Sequence, residues 1–232
     1  MPFANASYAQ AQPVQFAEAQ RAYMSRVYAW MFVGLGVTGV TAFVTAATPA
    51  IFVPVMQLFW LLIIAELGLV LVLSFMARKL SGAVAGALFL AYAVLNGLTL
   101  SGIFFAYKLG TIGDAFAITG GVFGAMSLYG TVTKKDLSGW GTFLMMGLIG
   151  VLIAGVVNLF VRSDGLSFVW SCGCVVVFTG LTAYDTQKLR NYFAAAYAGG
   201  GVGGLAVVGA LTLYLDFINL FLAILRLLGR KR

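Results

Sequence analysis

Long apolar stretches separated by short polar ones set the organisation of this chain. A helix that crosses the hydrocarbon core of a bilayer needs about 20 mostly apolar residues, and seven such windows follow one another. They run from Tyr28 to Ala47, Ile51 to Met76, Ala83 to Tyr107, Ile112 to Val132, Trp140 to Val161, Leu166 to Asp185 and Leu205 to Leu228. Pro49 and Pro54 mark the turn between the first two. Lys108 to Thr111 separates the third from the fourth, Lys134-Lys135-Asp136 the fourth from the fifth, and the glycine-rich stretch Gly199 to Gly204 the sixth from the seventh. The windows are too long and too continuously apolar for barrel strands, which run about ten residues and alternate in polarity. The expected fold class is therefore all-α: a polytopic membrane helix bundle of about seven transmembrane helices, with the seventh central. Residues 1–27 read as an amino-terminal tail, 28–228 as the membrane domain and 229–232 as a basic carboxyl-terminal tail, leaving no room for a second domain. The first window is too long for a cleavable signal peptide and is followed at once by another span, so it is expected to stay in the mature chain.

Composition agrees with the pattern. Hydrophobic residues make up 62% and charged residues 9% of the 232 residues, with a mean hydropathy of +1.00. A soluble domain carries roughly a quarter charged residues. Lysine and arginine set the expected orientation, because short positive loops stay cytoplasmic. Arg21, Arg26, Arg78, Lys79, Lys134, Lys135, Lys188 and Arg190 fall on one side, against Lys108 and Arg162 on the other. This predicts a cytoplasmic amino terminus. Arg226, Arg230, Lys231 and Arg232 follow the seventh window and would join the cytoplasmic side only if that window were a re-entrant hairpin. Seven full spans are the preferred reading. The net charge of +7 resides in these loops and tails, facing anionic lipid, and does not point to nucleic acid.

Candidate chemistry is sparse. The chain has no histidine, the commonest general base, and lacks a phosphate-binding G-x-x-x-x-G-K-[ST] loop, a G-x-S-x-G elbow and an H-E-x-x-H pair. No enzymatic activity and no cofactor are expected. Cys172 and Cys174 have no further cysteine or histidine to complete a zinc site and read as small packed thiols. Among the 29 glycines, the pairs Gly82/Gly86 and Gly120/Gly124 have the spacing that lets helices approach closely. Glu18, Asp114, Asp136 and Asp164 lie in the tail or loops, where Asp136 is placed to cap the fifth span. Glu66, Asp185 and Asp216 differ, because a charge inside a span costs at least about 2.5 kcal/mol and marks a functional candidate by default. An internal hydrogen bond or ion pair that only fixes packing is the alternative for each, and for Glu66 the two readings stand level.

The segments around the aspartates, Thr182-Ala183-Tyr184-Asp185-Thr186-Gln187 and Leu213-Tyr214-Leu215-Asp216-Phe217-Ile218-Asn219-Leu220-Phe221, resemble the signature of the Bax inhibitor (transmembrane Bax inhibitor motif) family. The loop Lys134-Lys135-Asp136-Leu137-Ser138 and the number of spans match as well, so the likeness covers nearly the whole chain. The stretch Ala194 to Gly204 is longer than the family's linker there. The resemblance implies a pH-sensitive calcium leak, with Asp185 and Asp216 as sensor and ion pathway and Arg78, in Phe75-Met76-Ala77-Arg78, as their lock. Physical chemistry fits this independently. Two carboxyls in a low-dielectric site cannot both ionise cheaply and share a proton, so they can sense pH without histidine. A neighbouring arginine tethers the ionised form. Calcium takes about six to eight oxygen ligands, and two aspartates with Asn219, hydroxyls and carbonyls make only a weak, transient site, suited to passage. Glu66 and Asn219 are the additional candidates for a polar pathway. Calcium and membrane lipid are the expected partners, with membrane proteins as further ones, and a bacterial cytoplasmic membrane is the expected location.

Two other classes compete. Intramembrane aspartyl proteases also pair a Tyr-Asp on one helix with an aspartate on the next, and share a proton between them. Those enzymes resemble one another in a Gly-x-Gly-Asp at the second position, where this chain has Tyr214-Leu215-Asp216. The other class is a regulator of a membrane-bound protease or of a cell-death pathway, acting through Met1 to Gln20, a polar, alanine- and glutamine-rich stretch that reads as disordered.

Overall fold

The computed structural model describes residues 4–76, 80–199 and 204–229, with side chains described from residue 15 onward, apart from 195–199. Among these residues the secondary structure is entirely helical: α1 (Ala4–Ala47), α2 (Pro49–Gln57), α3 (Phe59–Phe75), α4 (Gly82–Leu100), α5 (Ile103–Ala106), α6 (Leu109–Val132), α7 (Ser138–Val161), α8 (Asp164–Gly199) and α9 (Leu205–Leu228). Six helices are long and apolar enough to cross a membrane, and a seventh span is reached when the bent pair α2–α3 is counted as one. The polytopic bundle expected from the apolar windows is the observed architecture.

α9 lies at the centre. It is buried nearly all the way round, from Ala206 to Leu225, as a helix without a polar face must be, and it packs against α1, α4, α6 and α8. It is one unbroken helix of 24 residues, about 36 Å long at 1.5 Å per residue, so it crosses as a full span and not as a hairpin. α3 packs on α4, and α7 lies on the outside against α8, with only Gly141 and Leu144 buried. The large apolar side chains left exposed on α7, such as Phe143, Ile149 and Phe160, are what a lipid-facing helix presents.

Three departures from the sequence reading have clear causes. The second window is not a straight helix: the axis turns by 75° between α2 and α3, at Leu58 (φ −93°, ψ 9°). α2 carries two prolines. Pro49 at its start loses nothing, but Pro54 inside removes a backbone bond. The 17 residues of α3 still reach about 25 Å. The tail is the second departure. Residues 15–27 continue α1 as helix, with Tyr23, Met24 and Val27 buried in line with Met31 and Leu35, so the apolar stripe extends past the window that averaging detects. Gln20 Nε2 donates to the Arg190 carbonyl at 3.3 Å, and the Tyr23 ring stacks on Phe193 with centroids 4.9 Å apart. The disordered reading of Met1 to Gln20 thus gives way, from residue 15, to a helix docked on α8.

The third departure concerns glycine. A Cβ added at Gly120 or Gly124 meets nothing within 4 Å, so that pair faces lipid. Of the other pair, Gly86 does sit at a close approach, its Cβ position 2.9 Å from the Trp30 ring, and the tightest backbone approaches occur elsewhere. At Gly97 a Cβ would lie 2.7 Å from the Thr38 carbonyl oxygen, and at Gly130 it would collide with the carbonyl of Ala183. These two positions set the α1–α4 and α6–α8 separations. Gly130→Val is expected to lower the thermal unfolding midpoint in detergent, through about 1–3 kcal/mol of overpacking, whereas Gly120→Val leaves it within experimental scatter. Equal effects of the two would contradict this packing.

Candidate functional site

α8 and α9 run antiparallel and share the most extensive helix contact in the molecule, and this contact brings Asp185 and Asp216 together. Both are buried, at 8% and 4% exposure, and their carboxyls stand close enough to interact directly across the helix contact. Two buried carboxyls at such a contact cannot both ionise cheaply. Asp216 Oδ2 and the hydroxyl of Thr186, next to Asp185 in the chain, have no hydrogen-bond partner among the described residues. The site therefore offers two carboxyls, oxygen donors that match a hard cation in type but are too few for tight coordination. Among the described residues no three His, Cys, Asp or Glu side chains form a metal cluster.

The cation beside the pair is Lys188, one helical turn beyond Asp185, with Nζ 3.8 Å from Asp185 Oδ1. The lysine lies between two rings of its own helix, 5.4 Å from the Tyr184 centroid and 6.0 Å from that of Tyr192. Its side chain is 43% exposed, and such a pair contributes only about 0.2–1 kcal/mol. Arg78, the residue assigned by resemblance as the lock, lies outside the described residues.

α8 also fixes the α6–α7 loop next to the pair. Gln187 accepts a hydrogen bond from the Leu137 N–H at 2.8 Å and donates to the Lys135 carbonyl at 2.9 Å, and Arg190 donates to the Thr131 carbonyl. Within the loop Asp136 accepts the Ser138 N–H at 2.9 Å, closing the start of α7 as its position implies. Hydrogen bonds from Ser138, side chain first and backbone second, hold the exposed Asp136 carboxyl below the ordinary carboxylate range. The Lys134–Ser138 motif is thus a loop anchored onto the same helix that carries Asp185.

Glu66 and Asn219 are not part of this cluster. Glu66, buried on α3, accepts from Asn96 Nδ2 at 3.1 Å and from Thr99 Oγ1 at 2.8 Å. Asn96 Oδ1 in turn accepts from the Tyr214 hydroxyl at 2.9 Å, and that hydroxyl shares a 2.6 Å bond with Thr38 Oγ1. The Thr38 hydroxyl also donates to the Ala93 carbonyl at 2.9 Å. This chain of bonds ties α3, α4, α9 and α1 together. Tyr214 precedes Asp216 by two residues, about 200° around the helix, so the Glu66 network and the aspartate pair occupy opposite faces of α9. Asn219 donates to the Leu215 carbonyl of its own helix at 2.8 Å. Cys172 and Cys174 are free thiols, the second buried.

Sequence reasoning took Lys188 only as a topology marker, although its i,i+3 spacing from Asp185 was a visible signal. Tyr214, Asn96, Thr99 and Thr38 were missed altogether.

Comparison with known proteins follows the same lines. Residues 20–232 match the family model described as "Inhibitor of apoptosis-promoting Bax1". The chain is 48% identical over 219 residues to "Inner membrane protein YbhL" of Escherichia coli (strain K12), covering 90% of this chain and 92% of that one. It is 47% identical over 212 residues to an uncharacterized protein of Deinococcus radiodurans, with 91% of each chain covered. To an uncharacterized protein of Borreliella burgdorferi it is 43% identical over 214 residues, covering 90% of this chain and 92% of that one. With a family match over nearly its full length, the two aspartate motifs on adjacent helices and a helical membrane bundle, this chain belongs to the Bax inhibitor family of membrane proteins.

Proposed function

We propose that this protein is a pH-sensitive calcium leak of a bacterial inner membrane, with its amino terminus on the cytoplasmic side. The observation that carries the reading is the buried, closely placed pair Asp185 and Asp216 at the α8–α9 contact. The printed name of the Escherichia coli relative supports the location, and the clustering of loop lysines and arginines supports the orientation. Asp216 is the deeper of the two, and Asp185 faces Lys188. Arg78 remains the assigned lock, tethering the ionised pair to the end of α3; protonation weakens that tether and separates the helices. Oxygen donors too few for tight binding let calcium leave as readily as it enters. The alternatives are an intramembrane aspartyl protease, whose dyad chemistry the same carboxyl pair could serve, and a regulator of a membrane-bound protease or of cell death.

Calcium entry into proteoliposomes across a pH series tests the reading. Wild-type protein is expected to conduct with a marked pH dependence. Asp185→Asn and Asp216→Asn should abolish that dependence, and Arg78→Ala should raise the flux at neutral pH towards the acid level. No flux above empty liposomes at any pH would sink the leak. Cleavage of a model transmembrane peptide that Asp216→Asn abolishes would instead establish the protease.

Protons have two opposed effects here, since they release the tether but compete with calcium for the same carboxyl oxygens. Wild-type flux is therefore expected to pass through a maximum as pH falls. A flux that only rises with acidification would refute shared use of the carboxyls by proton and calcium.

A further inference from the structure

Beside the aspartate pair, where α7 begins, lies a cavity of about 360 Å³ lined by Ser138, Tyr184, Gln187, Lys188, Asn191 and Tyr192. Its chemistry differs from that of the pair. Lys188 supplies an ammonium group, Asn191 and Gln187 carry amides, and the two tyrosines contribute hydroxyls. The wall at Ser138 is the first turn of α7, the positive end of a 24-residue helix dipole. The loop pinned by Gln187 brings exposed Lys134 and Lys135 to the same end of the bundle, and Arg190 follows on α8. The acidic groups at this end of these elements are Asp136, already bonded to Ser138, and Asp185, behind Lys188; Asp164 stands at the far end of α8. Positive charge exceeds negative around the opening.

The level of the cavity in the membrane follows from its aromatic neighbours. Trp140 is 61% exposed and Tyr192 51% exposed, and exposed tryptophan and tyrosine at the ends of spans sit among lipid headgroups. An opening at that depth, with a lysine, amides, hydroxyls and a helix amino terminus around it, matches a phosphate group. The lysine is also available. Its contact with Asp185 is long, at 3.8 Å, and its own side chain is 43% exposed, so the ammonium can turn from the carboxyl towards a phosphate that offers a charge-assisted bond.

We propose that this cavity binds a phosphate group, either the phosphodiester of an anionic lipid headgroup or free phosphate, and that Lys188 is shared between that phosphate and Asp185. Occupancy draws Lys188 outward and removes the cation that faces Asp185. The consequence for gating rests on the calcium-leak reading above, but the binding itself does not.

Native mass spectrometry of the full-length protein, released from nanodiscs of mixed phosphatidylglycerol and phosphatidylcholine, provides the test. In parallel, thermal unfolding in detergent is followed with inorganic phosphate against chloride at matched ionic strength. Wild-type protein is expected to retain phosphatidylglycerol selectively. Lys188→Gln should lower this retention about tenfold, the loss of one charge-assisted hydrogen bond, Asn191→Leu should weaken it less, and Lys188→Arg should restore it. Stabilisation by inorganic phosphate that Lys188→Gln removes, without selective lipid retention, would assign the site to free phosphate. Equal behaviour of wild type and Lys188→Gln in both arms, with both proteins monodisperse, would overturn the proposal whether or not the protein conducts calcium.

Discussion

Everything in this molecule depends on how α9 buries polar groups in a medium without water. A helix enclosed on every side by protein cannot leave a hydroxyl or carboxyl to solvent, and an unpaired one costs several kcal/mol in hydrocarbon. α9 satisfies the Thr212 hydroxyl within its own backbone, but two such groups at mid-length, Tyr214 and Asp216, reach to neighbouring helices, and the packing provides for both. Thr38 of α1 and Asn96 of α4 meet the tyrosine hydroxyl, while Asp185 of α8 meets the aspartate. The rotational setting of α9 is thereby fixed from two sides, by groups of different character. Hydroxyl and amide hydrogen bonds hold one face, and a pair of carboxyls holds the other.

The close helix approaches follow from the same demand. Hydrogen bonds of 2.6–2.9 Å between short side chains require backbones near one another, and Gly97 against the Thr38 carbonyl provides that approach where α1 meets α4. Gly130 against Ala183 does the same where α6 meets α8, two residues before Asp185. In a bilayer, where lipid tails are as apolar as leucine, such contacts hold helices together more than hydrophobicity does.

How far the sequence could be read is explained by the range of the interactions involved. Span existence is a local property, so all seven windows match helices, and Asp185 and Asp216 stand out because charge is rare in such windows. The bend at Leu58 also has local causes, but two nearby prolines signal a turn without saying where the axis breaks. Residues 15–27 escaped because their apolar positions follow a helical stripe that a composition window averages away. The Glu66 network lay beyond sequence reasoning for a different reason. Its partners stand 30, 33 and 118 residues apart, and Asn96, Thr99 and Tyr214 look individually like ordinary polar residues in apolar helices. Gly120 and Gly124 show the converse: spacing permits a close contact, but only the arrangement of neighbours decides whether one forms.

The opposition of the two polar faces of α9 constrains how any movement at the aspartate pair can spread. Asp216 and Tyr214 are carried by one rigid helix, so a rotation that withdraws Asp216 from Asp185 also turns the tyrosine hydroxyl relative to Thr38 and Asn96. The tyrosine bonds are short and buried, and breaking them leaves the tyrosine hydroxyl and Asn96 Oδ1 without these partners. α8 lacks such a restraint near Asp185. Among the described residues beyond the pair, its polar side chains hold the end of α6 and the α6–α7 loop, and its Arg190 carbonyl accepts from Gln20 of α1. Separation of the carboxyls is therefore cheaper by displacement of α8 than by rotation of α9. That displacement carries the α6–α7 loop and Lys188 with it, and so links the buried pair to the membrane surface through covalent continuity and two glutamine hydrogen bonds.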